Sequence, residues 1–173
     1  MTSQSPKRLI VSWDRLHSDS KALAWRLIEG DNQWKGIIAI TRGGMIPAGI
    51  IARELDIKVV ETIGVSSYDD QTQRDMKILK NINVDLVGDG AGWLVIDDLV
   101  DSGNTAKLLR EMLPKAHLAT VYAKPSGLAQ VDTHITLVSQ DTWIYFPWDV
   151  DFEPVAPIAD QKKAPVAGPA KKG

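Results

Sequence analysis

The 173-residue chain contains no cysteine. This absence excludes disulfide bonds, thiolate nucleophiles and cysteine-ligated metal sites. It also fits a reducing compartment, so we expect a cytoplasmic protein. The three histidines, His17, His117 and His134, do not have the spacing of metal ligands, and we expect them to be structural or surface residues.

A strong excess of either charge is also missing, as is any long apolar run. The net charge is −2 at pH 7, which gives no reason to expect nucleic-acid binding. No run approaches the roughly 18 apolar residues of a membrane span, and we expect no signal peptide because the N-terminal residues contain no apolar stretch of the needed length. The hydrophobic content of 44% is ordinary for one globular domain.

Apolar runs alternate with segments of helical spacing along most of the chain. This alternation is typical of an α/β fold, and it predicts a mainly parallel twisted sheet flanked by helices. We place one domain in residues 1–158. Residues 159–173 are rich in Ala, Pro and Lys and contain no aromatic residue, so we expect a disordered tail.

The stretch Trp93–Ala106, WLVIDDLVDSGNTA, carries the most chemical information. It predicts a buried strand Trp93–Ile96, then an acidic and hydroxylated loop, then a helix over 106–113. A helix N-terminus entered through a glycine loop offers free N–H groups to a phosphate, whereas adjacent carboxylates suit sugar hydroxyls, a metal ion or a cationic transition state. The pattern therefore favours a phosphorylated sugar as ligand. The simpler alternative is an N-capped helix after a buried strand.

A second strand-to-helix connection has the sequence Thr41-Arg42-Gly43-Gly44, after the predicted strand Gly36–Ile40. Two glycines allow close approach of a ligand to the backbone, and Arg42 supplies a fixed cation where a diphosphate could bind. Taken alone, Gly-Gly is more often an ordinary turn. Its pairing with the acidic motif favours the functional interpretation.

These motifs resemble the phosphoribosyl-diphosphate (PRPP) signature of the type I phosphoribosyltransferases. The resemblance runs from about residue 8 to residue 158 and implies the α/β fold of that family, with a small hood and a flexible loop at about 67–90. It implies transfer of ribose 5-phosphate from PRPP to N9 of a 6-oxopurine. Guanine and xanthine are favoured, and hypoxanthine stays open as a weaker substrate.

The resemblance also assigns PRPP contacts to individual residues. Asp97 and Asp98 would hold the ribose hydroxyls, and Asp98 would also lie near Mg²⁺, the implied cofactor. Asp101 is the candidate general base for the purine N7 proton. The turn that would bind the 5-phosphate consists of Ser102, Gly103, Asn104 and Thr105. The glycine loop, with an expected cis peptide at Arg42-Gly43, would contribute Arg42, Gly43 and Gly44. Two cations of the flexible loop, Arg74 and Lys77, would complete the PRPP contacts. Asn104 replaces a glycine common in the family, and we expect the loop to tolerate it because Asn also adopts unusual backbone angles.

The purine side is implied by three residues further along the chain. Lys124, at the end of the predicted strand Leu118–Ala123, would donate to the oxygen at purine C6 and disfavour adenine, because an ammonium has only donors. Trp143 would stack on the base, and the backbone carbonyls of Trp143 and Ile144 would accept from its edge. Asp149 is a weaker candidate for this wall. The ordinary alternatives are a surface lysine and a tryptophan of the core.

The family resemblance further implies a homo-oligomer, a dimer or tetramer, and a weak peripheral membrane contact through the lysines of the tail. Three alternatives stay open. One is a non-catalytic PRPP-binding regulator, and another is a sugar-phosphate-binding protein without transfer activity. The third is a transferase that prefers hypoxanthine and guanine. The segment Ser67–Lys80 is equally consistent with a solvated surface hairpin.

Overall fold

The computed structural model describes residues 7–29, 33–70 and 73–150. The strands are β1 (Lys7–Ile10), β2 (Gly36–Thr41), β3 (Val60–Asp70), β4 (Gln73–Lys80), β5 (Trp93–Val100), β6 (His117–Ala123), β7 (Thr133–Leu137) and β8 (Thr142–Tyr145). The helices are α1 (Trp13–Ile28), α2 (Met45–Glu54), the single-turn α3 (Val84–Val87) and α4 (Asn104–Met112). The predicted tail 159–173 and residues 151–158 lie outside the described residues.

Six strands form the main sheet in the order β4-β3-β2-β5-β6-β7. Every neighbouring pair is parallel except β3 and β4, which are antiparallel. Helices pack on both faces, with α1 and α2 on one and α4 on the other. The predicted α/β class and mainly parallel sheet are therefore confirmed. Within the described residues, no helix is long and apolar enough to cross a membrane.

The central strand β2 shows why its sequence is a continuous apolar run. Ile37 and Ala39 pack in the core beneath α1 and α2, whereas Ile38 and Ile40 belong to the core on the α4 side. Successive side chains of a strand point to opposite faces, so a strand covered on both faces needs apolar residues at every position.

The strand order changes direction between β2 and β5. From β2 the chain passes through α2 to β3 on one side, and from β5 it passes through α4 to β6 on the other. The loops that follow β2 and β5 therefore diverge from the carboxyl ends of two adjacent strands. Ligands of open α/β sheets bind at this kind of switch point.

A separate two-stranded parallel sheet joins the two ends of the described chain. Strand β1 pairs with β8, from Lys7 with Thr142 to Ile10 with Tyr145. The Val11 N–H continues the ladder by donating to the Tyr145 carbonyl at 2.9 Å.

Two predicted boundaries need correction. Strand β5 continues to Val100 because its ladder with β6 runs past the apolar residues, so Asp97 and Asp98 lie in the strand and not in a loop. Helix α4 begins at Asn104, two residues before the predicted start. The stretch 67–90, expected to be a flexible loop, contains the end of β3, strand β4 and the turn α3. The alternative prediction of a hairpin in Ser67–Lys80 is confirmed.

Candidate active site

The loop after β2 packs its backbone directly against β5. A Cβ added to Gly43 would lie 2.3 Å from Oδ2 of Asp98, and one added to Gly44 would lie 2.3 Å from the Ile96 carbonyl oxygen. Both glycines are therefore required by close approach. The cis peptide precedes Arg42, at Thr41-Arg42, so the expectation of a cis bond at Arg42-Gly43 is wrong by one residue. The Arg42 side chain is exposed at this strand end.

The two adjacent carboxyls of β5 are only partly accessible to solvent. Burial raises the pKa of Asp97 well above its usual range, and the neighbouring charge of Asp98 adds to the shift. Burial also raises the pKa of Asp98. The Asp97 Oδ1 accepts the Asp98 backbone N–H at 2.9 Å. Two carboxyls that resist ionisation side by side are suited to a position where hydroxyl groups or a cation will contact them.

The turn Ser102–Thr105 leads into α4 as a glycine-entered helix N-terminus. Gly103 has a φ of 86°, a left-handed conformation that favours glycine, and it is buried against Gln130 and Gly127. Asn104 is already the first helical residue, so the turn accommodates it without the unusual backbone angles given as the reason. The Asn104 N–H donates to Ser102 Oγ at 3.4 Å. The next N–H groups of α4 have no acceptor within the helix and are available to an anion.

Asp101 and Lys124 lie together although 22 residues separate them in the sequence. The Lys124 Nζ donates to Asp101 Oδ2 at 3.0 Å. Lys124 is only 5% exposed, whereas the Asp101 side chain is 54% exposed. The alternative of a surface lysine is therefore wrong. A nearly buried ammonium beside an accessible carboxylate provides one donor and one acceptor at the same site.

A cavity of about 140 Å³ lies between the end of β5, α4 and β6. Asp97, Ser102 and Thr105 line it together with Thr120 of β6, which is the register partner of Asp97. Among the described residues, the Thr120 hydroxyl is the one buried side-chain polar atom without a hydrogen-bond partner. Buried polar groups are normally satisfied, so this hydroxyl is available to a water or ligand in the cavity. No local sequence pattern singled out Thr120.

The side chains of the residues predicted to form the purine wall differ in exposure and in their contacts. Trp143 is 62% exposed on β8, so the alternative of a core tryptophan is wrong. Ile144 is buried in the core beneath α1 and α2. The Asp149 carboxylate accepts the Phe146 backbone N–H at 3.0 Å, which gives it a local role in the turn after β8.

The two predicted loop cations lie on β4, the outermost strand of the sheet on that side. Arg74 pairs with Asp69 in the backbone register, and its side chain lies outside the described part of the structure. The Lys77 side chain is exposed. Among the described residues, no hydrogen bond or ion pair joins Lys77 to the loops after β2 and β5, and its assigned contact with PRPP stays a prediction.

Gln140 is the clearest functional candidate that the sequence did not reveal. Its Nε2 donates to Asp101 Oδ1 at 2.8 Å, and its Oε1 accepts the Ser126 backbone N–H at 3.0 Å. One side chain thus contacts the loops after β5 and β6. A glutamine between two strands has no recognisable motif, and only the fold brings these loops together.

Comparison with known proteins agrees with this geometry. Residues 12–154 match the model of the phosphoribosyl transferase domain family. A xanthine-guanine phosphoribosyltransferase of Desulfotalea psychrophila is 56% identical over 94% of this chain and 99% of its own length. One from Nitratidesulfovibrio vulgaris is 60% identical, covering 87% of this chain and 90% of the relative. A solved purine phosphoribosyltransferase from Pyrococcus horikoshii is 26% identical, with a TM-score of 0.72, and covers 87% of this chain and 98% of its own.

Proposed function

Because the chain belongs to the phosphoribosyl transferase domain family, we propose that it transfers the 5-phosphoribosyl group of PRPP to N9 of guanine or xanthine. The products are GMP or XMP and diphosphate. The Lys124–Asp101 pair at the ends of β6 and β5 is the observation that carries the proposal, because it supplies the donor and the base that a 6-oxopurine needs. The names of relatives that are 56–60% identical support the choice of base.

The reaction breaks the bond between the anomeric carbon and the diphosphate oxygen and forms the bond to purine N9. Positive charge develops on the ribose ring as the diphosphate leaves. Asp97 and Asp98 hold the ribose hydroxyls and stabilise this charge from the strand. Ser102–Thr105 and the N-terminus of α4 bind the 5-phosphate. The Gly43–Gly44 backbone and Arg42 contact the diphosphate.

Proton transfer is assigned to the accessible carboxylate. Lys124 donates to the C6 oxygen, and Asp101 accepts the N7 proton as N9 forms its new bond. Adenine carries an amino group at C6 and would place donors against the ammonium, so it should be rejected. Trp143, exposed on β8, stacks on the base, which is worth about 1–3 kcal/mol.

We also propose Mg²⁺ as the cofactor, with Asp98 as its protein ligand. The residues fit, because Oδ2 of Asp98 faces the Gly43 backbone of the loop that is to hold the diphosphate. Within the described residues, no group of three or more acidic, histidine or cysteine side chains could hold a metal without other ligands. Mg²⁺ often uses one or two carboxylates together with substrate phosphates. When bound, the ion neutralises charge on the leaving diphosphate.

The test measures nucleotide formation from PRPP and Mg²⁺ with guanine, xanthine, hypoxanthine and adenine in parallel. We expect turnover with guanine and xanthine and none with adenine. Turnover with hypoxanthine but not xanthine would favour a hypoxanthine-guanine transferase. PRPP binding without turnover on any base would overturn the enzymatic proposal and favour a regulator.

We further propose a cytoplasmic homo-oligomer, a dimer or a tetramer. The exposed apolar residues Trp25 and Ile28 of α1 support an association surface. Light scattering of the purified chain measures its mass, and a monomer at micromolar concentration would contradict the proposal.

A further inference from the structure

Both carboxylate oxygens of Asp101 are occupied by donors. Oδ2 accepts from the Lys124 ammonium at 3.0 Å, and Oδ1 accepts from the Gln140 amide at 2.8 Å. Each carboxylate oxygen has two lone-pair sites, so Oδ2 can still accept a proton while both contacts are made. The two donors differ in kind, because one is charged and the other is neutral.

We propose that Gln140 is a positioning residue for Asp101, which holds Oδ1 in place while Oδ2, beside Lys124, accepts the N7 proton. This inference rests on the proposed function. The Lys124 ammonium has three N–H donors, so it can donate to the C6 oxygen of a 6-oxopurine and still contact Asp101. Oδ2 then accepts the N7 proton of the bound base. The amide of Gln140 then prevents the exposed carboxylate from rotating away.

The setting of Gln140 is suited to this task. Gln140 lies within a turn that is closed by the Thr142 backbone N–H, which donates to the Ser139 carbonyl at 3.0 Å. The hydroxyls of Ser139 and Thr142 also form a hydrogen bond at 2.7 Å. This turn leads directly into β8, which is paired with β1. Gln140 is therefore held at a fixed place between Asp101 and the strand that carries Trp143.

The second hydrogen bond of Gln140 links it to the loop after β6. Its Oε1 accepts from the Ser126 N–H in the turn that follows Lys124. That turn packs tightly on the loop after β5, because a Cβ at Gly127 would lie 2.7 Å from the Asp101 carbonyl oxygen. One amide group thus couples the base to the turn beside its partner lysine. The two halves of the amide can be tested separately.

The experiment compares Gln140→Leu, which removes both contacts, with Gln140→Glu, which keeps an acceptor for Ser126 and loses the donor to Asp101. We expect kcat with guanine to fall about ten-fold or more in both, with the KM for PRPP changed less than two-fold. Gln33→Glu makes the same chemical change at an exposed residue and should leave kcat unchanged. Full kcat in Gln140→Glu would overturn the proposal.

A double-mutant cycle tests whether Gln140 acts through Asp101. In the Asp101→Ala background, Gln140→Leu should cause no further loss of kcat, because no carboxylate is left to position. An equal loss in both backgrounds would show a structural role and overturn the inference. A full rate in Asp101→Ala alone would instead refute the base assignment of the proposed function, so the two failures are distinguishable.

Discussion

The ends of β2 and β5 are adjacent in the same sheet and both lead into a helix, yet they are built by different means. After β2, the backbone determines the geometry: two glycines let the loop approach β5, and the side chains contribute little besides Arg42. After β5, side chains determine it: partly buried carboxyls, an exposed carboxylate and a hydroxylated turn. Under the proposed function, the difference teaches that the leaving diphosphate would meet a backbone surface, whereas the reacting sugar would meet placed charges.

The largest expected effect comes from a change in the loop after β2, where the backbone determines the geometry. In Gly43→Ala the new Cβ would collide with the Asp98 carboxylate, so the loop or the carboxylate must move. We expect kcat/KM for PRPP to fall about 10³-fold, because both the diphosphate site and Asp98 are displaced. Steady-state kinetics with guanine measure the loss.

Gly49→Ala in α2 is the matched control. A Cβ at Gly49 meets nothing within 4 Å, so the helix should gain about 0.5–1 kcal/mol of stability with activity unchanged. A Gly43→Ala enzyme with normal activity would mean that the loop after β2 does not bind substrate through its backbone.

The second largest effect is expected from replacing Asp101, the proposed base after β5. Asp101→Asn keeps the shape and removes the proton acceptor, so turnover should fall about 10²-fold. PRPP affinity, measured by titration calorimetry, should change little because the pocket for the 5-phosphate remains. Unchanged turnover would remove Asp101 as the base.

A smaller effect is expected from the lysine beside that base. Lys124→Gln replaces the ammonium with a neutral amide that can also accept a hydrogen bond, so the KM for guanine should rise about ten-fold and discrimination against adenine should weaken. Lys107→Gln, at an exposed residue of α4, is the control and should behave like the wild type. Unaltered purine kinetics in Lys124→Gln would assign this lysine a structural role only.

The smallest expected effect is on stability, and it concerns the buried carboxyl of Asp97 on β5. Because burial raises the pKa of Asp97, the folded state holds more protons than the unfolded state above the ordinary carboxyl pKa, and stability is lost as pH rises toward the raised value. The Asp97→Asn variant has no carboxyl to ionise at this position, so it avoids this loss of stability. The ligand-free variant should therefore melt a few degrees above the wild type at pH 8.

At pH 5 the difference in melting temperature between Asp97→Asn and the wild type should be smaller, because both then carry a neutral side chain more often. Scanning fluorimetry across this range measures it. A difference that grows toward acidic pH would contradict the raised pKa and hence the distinction between Asp97 and an ordinary surface carboxylate.

The sequence predicted much of the fold because its signals were local. The continuous apolar residues of β2 and β6 identified buried strands, and glycine after a strand identified both helix starts. The end of β5 could not be predicted, because Asp97 and Asp98 remain in the strand through ladder bonds with β6. The hairpin arm β4 is polar and is defined by its pairing with β3.

The site was predictable where it depends on contiguous motifs and not where it depends on contacts across the fold. Asp101 and Lys124 were each recognisable from their place at a strand end. The contacts of Gln140 form only because three loops meet in the folded protein. Thr120 is a candidate only because it lines a cavity beneath α4. Neither leaves a pattern in the neighbouring sequence.

The pairing of β1 with β8 has a consequence for the order in which the protein assembles. Strand β8 supplies Trp143, and its partner lies at the opposite end of the described chain. A ribosome must therefore release nearly all of these residues before the pair can close, whereas β2, β5 and their loops emerge earlier. Such long-range contacts form late because they carry a large loop-closure cost. A growing chain would then acquire the loops proposed to bind phosphate and diphosphate first, and the surface proposed to select the base last.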